Sequence, residues 1–457
     1  MSAYFRRLRG FPRDIKLFLA YSLLANVGFG VSQLIFNLYL TELGYREDFI
    51  GAFNGAVTLS MAAAAVSMGV LLNRFGPWRC IVGGVGVFFL ASFGLALAEA
   101  PWLLLVLGGL NGVGLAFLFT ATMPFVIEWT RRDQRPEVAA LSFSLISLAT
   151  MLGSLVGGFV PSLVPGVADV SVAAYRWTLI GGTAVACLGY VPLFLMGPAR
   201  RGRGPAETST TLAEGDAGRR QVRRDMTVFV AIGGLMALGA GMVMPFYNVY
   251  LRSLGGSARE IGYVYAAGGL VAAALGLGAP AVARRLGSIR AVVLIRWSVV
   301  PFYALLILSP GYGLAIVAHL VRQTSISMAW PIDSTFIAEV LPARARGSVF
   351  GWRSGAWNVG FSAASLVGGA LIVRFGYDGP FFGLVLFSIL AGTLFAVYFG
   401  RHPMIRAGHL PLALPPHKRQ PVKAPGSGFG SVSVVAGRSP DAPPVAKPGV
   451  ADSPVGG

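Results

Sequence analysis

Residues 154–158 of this chain read SLVGG, and residues 365–369 read SLVGG again, 211 positions later. The same offset, applied without a gap, brings other polar residues and glycines into register. Matched pairs are Asn37 and Asn248, Tyr39 and Tyr250, Gly44 and Gly255, Arg74 and Arg285, Glu128 and Glu339, and Arg135 and Arg346. Because charged and glycine positions seldom coincide at a single offset, the chain is predicted to contain two parallel copies of one unit.

The composition indicates that both copies lie in a membrane. Of 457 residues, 55% are hydrophobic and 12% are charged, and the mean hydropathy is +0.67. A bilayer-spanning helix needs about 20 mostly apolar residues, and lipid offers no hydrogen-bond partners to any other backbone. We therefore predict an all-α membrane protein with twelve spans. The predicted spans are 17–40, 50–72, 80–99, 102–128, 138–161, 176–197, 226–250, 260–282, 291–309, 312–340, 347–373 and 380–400.

The positive charge predicts how the chain is oriented. The net charge of +18 does not indicate a nucleic-acid binder, because the arginines form short clusters in alternate connections between apolar stretches. Such clusters retain loops in the cytoplasm, so both termini and the central linker are predicted to be cytoplasmic, in a bacterial inner membrane. The predicted organisation is an N-terminal six-helix bundle over 1–197, a cytoplasmic linker over 198–225, a C-terminal six-helix bundle over 226–404 and a disordered cytoplasmic tail over 405–457.

No cofactor or metal is expected. The two cysteines, Cys80 and Cys187, fall within apolar stretches, which argues against a disulfide framework or a metal site. The basic N-terminus precedes an apolar run that is too long for a signal peptide, so this run is interpreted as the first span.

The loop between the second and third predicted spans carries a motif. Residues 69–79 read GVLLNRFGPWR, in which Arg74 and Gly76 fit the pattern glycine, three residues, Asp-Arg-x-Gly and then basic residues. Together with the six-plus-six repeat and the long linker, this motif makes residues 15–400 resemble the major facilitator superfamily. The resemblance implies two six-helix bundles related by a pseudo-two-fold axis, with a site between them near the membrane midplane.

The chain departs from the family pattern at several positions. Asn73 replaces the acidic residue of the loop motif, and the second copy at 284–287 reads RRLG, also without an acid. In the fourth span, Gly108 stands where many proton-coupled exporters of the family carry an arginine. The antiporter pattern Gly-Pro-x-x-Gly-Gly appears at 153–158 as GSLVGG, without its proline. These glycines are interpreted as positions of close helix packing.

The tenth predicted span contains the richest set of polar residues. His319 and Trp330 are eleven residues apart. Arg322 and Asp333 have the same spacing, so at 100° per residue all four lie within one helix face. Because buried charges are costly in a bilayer, this face is predicted to bind substrate. Arg322 would bind an anionic or polar group, and His319 or Asp333 would be able to titrate.

Arg322 and Asp333 are expected to act on different groups, since eleven residues correspond to about 16 Å along a helix. We expect Arg322 to contact substrate. The structural alternative for Asp333 is an ion pair with Arg353 or Arg296 of a neighbouring span.

The first span has a polar face of its own. Asn26, Gln33 and Asn37 follow one another at helical spacing, and Asn111 of the fourth span is a further candidate. These side chains are predicted to line the substrate cavity. The alternative is that they bond between helices for structural reasons, as uncharged polar residues in membranes often do.

A repeated set of charges at the cytoplasmic ends is predicted to gate the cavity. The resemblance to the family implies that such charges latch the inner ends of the halves together when the cavity faces outward. The predicted gating residues are Arg74, Glu128, Arg135, Arg285, Glu339 and Arg346. The alternative is an exposed surface network that contributes little energy.

The favoured function is a secondary transporter that moves a small solute by alternating access. Spans rich in methionine and phenylalanine favour export of amphipathic compounds, and uptake of an anionic metabolite is the rival. A non-transporting membrane sensor on the same scaffold is a further alternative. An enzyme is not expected, because no clustered acid, base or metal set was found. The expected partners are a small-molecule substrate and lipid, with a monomeric chain and no nucleic acid.

Overall fold

The fold is entirely helical in the part of the chain that the structure describes. This computed structural model describes residues 12–129, 135–163, 171–196 and 216–406. Every regular element in these ranges is an α-helix or a short 3-10 helix, which confirms the predicted fold class. The predicted linker residues 198–215 and tail residues 407–457 lie outside the described residues.

Six helical rods form the first half, and each matches a predicted span to within four residues at either end. They are α1 (Arg13–Glu42), α2 (Glu47–Phe75), α3 (Pro77–Leu97), α4 (Pro101–Trp129), α5 (Arg135–Phe159) and α6 (Val172–Leu188, continued by Tyr190–Phe194). The prolines at the start of α3 and α4 occupy a position where a missing backbone N–H costs nothing.

Six further rods form the second half, three of them broken. They are α7 (Asp216–Val243, continued by Met244–Phe246 and Tyr247–Ser253), α8 (Ala258–Gly276 and Ala279–Leu286), α9 (Ser288–Trp297 and Val300–Leu308), α10 (Tyr312–Val340), α11 (Ala343–Phe375) and α12 (Asp378–Gly400). Pro245, Pro280 and Pro301 lie at the three breaks, because proline cannot donate the hydrogen bond that continues a helix. Helix α7 begins ten residues before the predicted 226, so residues 216–225 of the predicted linker are helical.

Ten of the described helices are long and apolar enough to cross a membrane, or eleven if α8, which bends by 48°, counts as one span. The remaining rod, α10, has 29 residues and the length of a span. Its polar side chains lower its hydropathy, which makes this helix a candidate for the functional site.

Equivalent turns of the two halves have the same backbone conformation. Helices α1 and α7 each end at a glycine with positive φ, 87° at Gly44 and 94° at Gly255. The N–H of Tyr45 donates to the carbonyl of Leu40 across the first of these turns, and the second has the equivalent bond. This hydrogen-bond pattern requires the left-handed backbone that glycine adopts without strain.

Two ends of the bundle can be distinguished by their turns. The turns after α1 and α7, at 43–46 and 254–257, lie at what we name the closed end. The turns at Gly76 and Gly287 lie at the opposite end, which we name the arginine-rich end because Arg74, Arg79, Arg284, Arg285 and Arg290 flank them.

The two halves are joined by a reciprocal pair of hydrogen bonds. Asn37 of α1 donates its amide to the carbonyl of Pro245, at 2.5 Å. Asn248 of α7 donates to the carbonyl of Leu34, at 2.7 Å. The repeat offset of 211 maps each donor onto the other and each acceptor onto the other, so a pseudo-two-fold axis passes between the two bonds. This symmetry is the one that the sequence repeat predicted.

Glycines bring the halves into backbone contact near the same axis. A Cβ atom added to Gly158 of α5 would lie 2.8 Å from the carbonyl oxygen of Ala258 in α8. The repeat equivalent, Gly369 of α11, faces the carbonyl of Glu47 in α2 with even less room. These positions are therefore close-packing glycines, as small residues at membrane helix interfaces generally are.

Polar side chains close the same end more loosely. The hydroxyl of Tyr377 donates to a carboxylate oxygen of Glu47 at 3.1 Å, and a guanidinium nitrogen of Arg259 lies 2.6 Å from the hydroxyl of Ser162. Each contact joins one half to the other. Both lie at the closed end, on the two sides of the axis.

Toward the arginine-rich end the halves separate. Gly55 of α2 packs against Ser362 of α11, whose hydroxyl donates to the Gly55 carbonyl at 2.8 Å. Val66 lies eleven residues further along the same face of α2 and is 86% exposed. A Cβ atom added to Gly355 or Gly351, on the facing side of α11, would meet nothing within 4 Å. The two halves therefore enclose a space that is shut at one end and open at the other.

We predict that substitution of Gly369 by valine weakens the closed end. The new side chain would collide with the Glu47 carbonyl, so the conformer with separated closed ends becomes more populated. Spin labels on cysteines at Ala100 and Ser309, in an otherwise cysteine-free chain, should report longer distances. Gly83→Val is the matched control, because a Cβ there meets nothing within 4 Å. Equal distance distributions in the two variants would contradict this account of the interface.

Candidate substrate site

The middle of α10 carries two buried basic side chains. His319 is fully buried and Arg322 is 5% exposed. Arg322 lies about 15 Å from the start of the helix by its rise, close to half the depth of a bilayer. Its Nη2 atom lies 3.2 Å from Nδ1 of His319. Because a guanidinium can only donate, Nδ1 accepts and the ring hydrogen of His319 is on Nε2.

Aromatic rings from three other helices surround this pair. The guanidinium carbon of Arg322 lies 5.3 Å from the ring centroid of Tyr247 in α7, which is a cation–π contact. The ring of Tyr265 in α8 lies 4.5 Å from that of His319, and Tyr303 of α9 lies against Tyr247 and Arg322. We name these five residues the aromatic box. It lies wholly within the second half.

The aromatic box leaves several donors without a partner. Nε and Nη1 of Arg322 and Nε2 of His319 make no hydrogen bond to the residues that the structure describes. Gly268 of α8 faces the His319 ring, and a Cβ there would come within 2.9 Å of it. Buried donors without partners are costly in a low-dielectric interior, so a group retained in this state is a candidate for binding a ligand.

Asp333 has a different environment, two turns from the arginine-rich end of α10. One of its oxygens, Oδ2, accepts from Nη2 of Arg296 at 2.5 Å and from Nη2 of Arg353 at 2.7 Å. The guanidinium of Arg296 also lies 5.2 Å from the ring centroid of Phe395. Asp333 thus joins α9, α10 and α11, and the arginine partner expected from the sequence is present.

Trp330 does not join this buried cluster. It is 60% exposed, although it lies on nearly the same helical azimuth as His319. Two residues on the same face of a helix are equally buried only if neighbouring helices pack against that face along its full length. Pro331 follows directly inside α10, and the halves diverge toward this end, so equivalent faces have different surroundings at the two depths.

The polar residues of the first half mostly bond to protein. Asn37 forms the hydrogen bond between the halves that is described above, and Asn54 donates to the side-chain oxygen of Asn37 at 3.2 Å. Asn111 donates to the hydroxyl of Ser92 at 2.8 Å. Asn26 donates to a carbonyl of its own helix and lines a narrow, largely apolar cavity between α1, α3, α4 and α5. Gln33 is exposed.

The predicted gating residues lie near the arginine-rich end, and four of their side chains are described. Arg74, Arg285 and Arg346 are exposed, and Glu339 is half-buried. No ion pair joins any of these four to another. The side chains of Glu128 and Arg135 lie outside the described set. An open end is the state in which a latch at that end would be released.

Sequence reasoning missed the tyrosines of the aromatic box and a second buried polar cluster. In that cluster Asp225 of α7 accepts from the hydroxyl of Tyr398 at 2.7 Å and lies 3.2 Å from Nε2 of His402. Asp225 had been placed in the linker. The three tyrosines lie on three different helices, and Asp225 is 173 residues from Tyr398, so no local spacing could reveal these contacts.

We predict that Asp333→Asn strongly destabilises the protein. Loss of the carboxylate leaves two arginines, of which Arg296 is 1% exposed, with no anion to pair with. Breaking a buried ion pair from one side costs about 3–5 kcal/mol, which thermal or chemical unfolding in detergent would detect. Asp378→Asn, at an exposed aspartate, is the control. Equal stability of the two variants would mean that the ion pairs contribute nothing to folding.

Comparisons with known proteins agree with this architecture. A profile of the Major Facilitator Superfamily matches residues 17–332 and 324–436. Among solved structures, the nucleoside transporter NupG has a TM-score of 0.70 at 14% identity, covering 86% of this chain and 100% of that one. A D-xylose-proton symporter has a TM-score of 0.65 at 13% identity, covering 83% and 96%.

Curated relatives match over part of their length. The multidrug resistance protein MdtH of Aeromonas salmonicida (strain A449) is 23% identical over 245 residues, which is 53% of this chain and 58% of the relative. The methylenomycin A resistance protein of Streptomyces coelicolor (strain ATCC BAA-471 / A3(2) / M145) is 28% identical over 138 residues, covering 30% and 28%. The chain thus aligns with less than two thirds of either relative. Since the profile match covers nearly all the described helices, the chain belongs to the Major Facilitator Superfamily.

Proposed function

We propose that this protein is a secondary transporter that moves a small amphipathic solute across a bacterial inner membrane by alternating access. The observation that carries the proposal is the space between two pseudo-symmetric halves, shut at one end by Asn37 and Asn248 and open at the other. Such a pair of halves can exchange its open and shut ends by rocking around a fixed site. A transporter needs this geometry, whereas an enzyme or a sensor does not.

The arginine-rich end is proposed to face the cytoplasm. Positively charged loops are retained on that side of a membrane, which also places both termini and the central linker there. The described conformer is then inward-facing. In this proposal the six gating residues form a latch only after the cavity has turned outward, when the arginine-rich ends of the halves approach each other.

Export is the favoured direction. Two relatives of this chain are named resistance proteins, and the largely apolar cavity that Asn26 lines offers a surface for apolar groups. Uptake of an anionic metabolite is the second candidate, favoured by the buried cation Arg322. We propose that the transporter acts as a monomer in contact with lipid, because the site lies within one chain.

Alternating access predicts that a covalent link across the closed end stops transport. A Cβ added to Gly55 would lie 3.4 Å from the hydroxyl oxygen of Ser362, so cysteines at these two positions would be in contact across the two halves, and oxidation can be used to link them. Thermal stabilisation of the purified protein by amphipathic compounds would first identify a ligand. Flux of that ligand in proteoliposomes should then fall to background in the oxidised double-cysteine variant and return on reduction.

The two single-cysteine variants are the matched controls for the link, and oxidation should leave their flux unchanged. Undiminished flux through the oxidised double variant would point to a fixed pathway through the protein. That result would contradict alternating access.

The proposed orientation can be tested by reporter fusions. Fusions at Gly215 and Ala424 should show the activity typical of a cytoplasmic reporter, because the arginine clusters retain these segments on the inner side. A fusion in the turn at 254–257, at the closed end, is the control and should show the periplasmic pattern. A periplasmic signal at Gly215 or Ala424 would invert the proposed orientation.

A further inference from the structure

The aromatic box contains a buried positive charge, whereas its counterpart in the first half is neutral. The offset of 211 pairs Arg322 with Asn111 and Tyr303 with Ser92. In the first half, Asn111 and Ser92 form a closed, neutral hydrogen bond at 2.8 Å. Gly108, the equivalent of His319, is covered by the ring of Phe53. The first-half counterparts of Arg322 and Tyr303 therefore bond to each other, while Arg322 keeps two nitrogen atoms without a partner.

All the unpartnered nitrogen atoms of the aromatic box are hydrogen-bond donors. Nε and Nη1 of Arg322 carry hydrogens and no lone pair that can accept, since a guanidinium only donates. The contact from Arg322 to Nδ1 of His319 puts the ring hydrogen on Nε2, so that atom also donates. The hydroxyl of Tyr303 also has no partner among the described residues, and it can donate or accept. The three nitrogen donors outnumber this single acceptor, so the site is complementary to an acceptor, and a carboxylate or another oxyanion offers the strongest acceptors.

The charge of the neighbouring helices favours the same kind of ligand. Away from the helix ends, α9, α10 and α11 bury or partly bury Arg296, Arg322 and Arg353 against the one aspartate, Asp333. Three positive charges and one negative charge leave +2. Asp333 is engaged by two of the arginines, and it lies about 16 Å along the helix from Arg322. No described acid therefore neutralises Arg322, and a cationic ligand would be repelled.

The walls of the site indicate what the anionic group is attached to. Tyr247 and Tyr265 flank the Arg322–His319 pair with ring faces or edges, which suit a flat apolar body. Such walls would exclude small, strongly hydrated inorganic anions, because nothing replaces their hydration shell.

We propose that the substrates are aromatic organic anions, with an oxyanion group bound by Arg322 and Nε2 of His319. This assignment rests on the proposed transport function and narrows it to one charge class. It distinguishes this chain from exporters that select lipophilic cations, because the buried positive charge of Arg322 disfavours a cationic ligand.

The test compares ligands that share a ring system and differ in charge. Naphthoate, naphthalenesulfonate and naphthyl phosphate carry three different oxyanions, and naphthylmethylammonium is the cationic twin. Binding to the purified full chain is measured by isothermal titration in detergent. We expect at least one of the anions to bind about tenfold or more tightly than the cation, because the cation cannot accept the charge-assisted hydrogen bonds from Arg322 and His319. The preferred anion identifies the head group.

Variants assign the binding to the aromatic box. Arg322→Gln should weaken binding of the preferred anion by about tenfold or more, and Arg322→Lys, which keeps the charge without the fork, should weaken it less. His319→Gln keeps a donor, whereas His319→Leu does not, so only the second should weaken binding. Arg290→Gln removes an exposed arginine at the arginine-rich end and is the matched control.

Three results would overturn the assignment: tighter binding of the cation, no binding of any of the three anions, or unchanged affinity in both Arg322→Gln and His319→Leu. Two variants are used so that misfolding of one does not decide the outcome, and monodispersity is checked for each. Failure of the transport function is distinguishable, because it would appear as anion binding without flux.

Discussion

The arrangement of the two halves depends on the reciprocal hydrogen bonds from Asn37 and Asn248 to backbone carbonyls across the pseudo-two-fold axis. In the bilayer interior no water is available to these amides, so each is strongly favoured to keep a protein partner. The N–H of Val249, four residues after Pro245, donates to the side-chain oxygen of Asn248, which leaves the carbonyl of Pro245 available to accept from Asn37. The carbonyl of Leu34 accepts from the other asparagine with its second lone pair. Close approach of glycines to backbone then follows on both sides of the axis, and the opposite end is left open.

The repeat preserves backbone and packing but not chemistry. Turns, inter-half bonds and contact glycines have equivalents at one offset, because the symmetry of the interface requires both copies to supply the same groups. No such requirement applies inside each half. In the first half, Asn111 of α4 forms a neutral hydrogen bond with Ser92 of α3. In the second half, Arg322 of α10 contacts His319 and tyrosine rings. The two halves can therefore contribute equally to the conformational change and unequally to recognition.

The buried charges of the second half serve two separate purposes. Asp333 joins three helices through Arg296 and Arg353, and its fixed geometry holds α10 in place. Arg322, about three turns away, has a cation–π contact and a histidine neighbour but no counter-ion among the described residues. The first arrangement links three helices, and the second keeps a buried cation without a counter-ion, a cost that a bound anion removes in our proposal. A third buried cluster, around Asp225 and His402, ties the start of α7 to the segment after α12.

The sequence was sufficient to predict the fold class, the twelve rods, the two copies and the helix on which the buried residues His319, Arg322 and Asp333 lie. The length of an apolar stretch predicts a membrane span, because a helix is the structure that satisfies all backbone hydrogen bonds of one segment in lipid. An ungapped repeat predicts a pseudo-two-fold axis, because copies with similar sequences adopt similar structures. The sequence also identified Asp333 as the residue that pairs with an arginine. These features depend on local composition or on one offset, both of which can be read along the chain.

Only the tertiary structure decided which polar residues come together. Trp330 and His319 share a helix azimuth, yet one is exposed and the other buried, because the neighbours of α10 change along its length. Tyr247, Tyr265 and Tyr303 meet Arg322 from three separate helices, and no spacing in the sequence relates them. Asn37 belongs to a polar face of α1 but bonds across the interface, because the pseudo-two-fold axis happens to pass beside it. Periodicity fixes the direction of a side chain from its own helix, whereas packing fixes what that side chain meets.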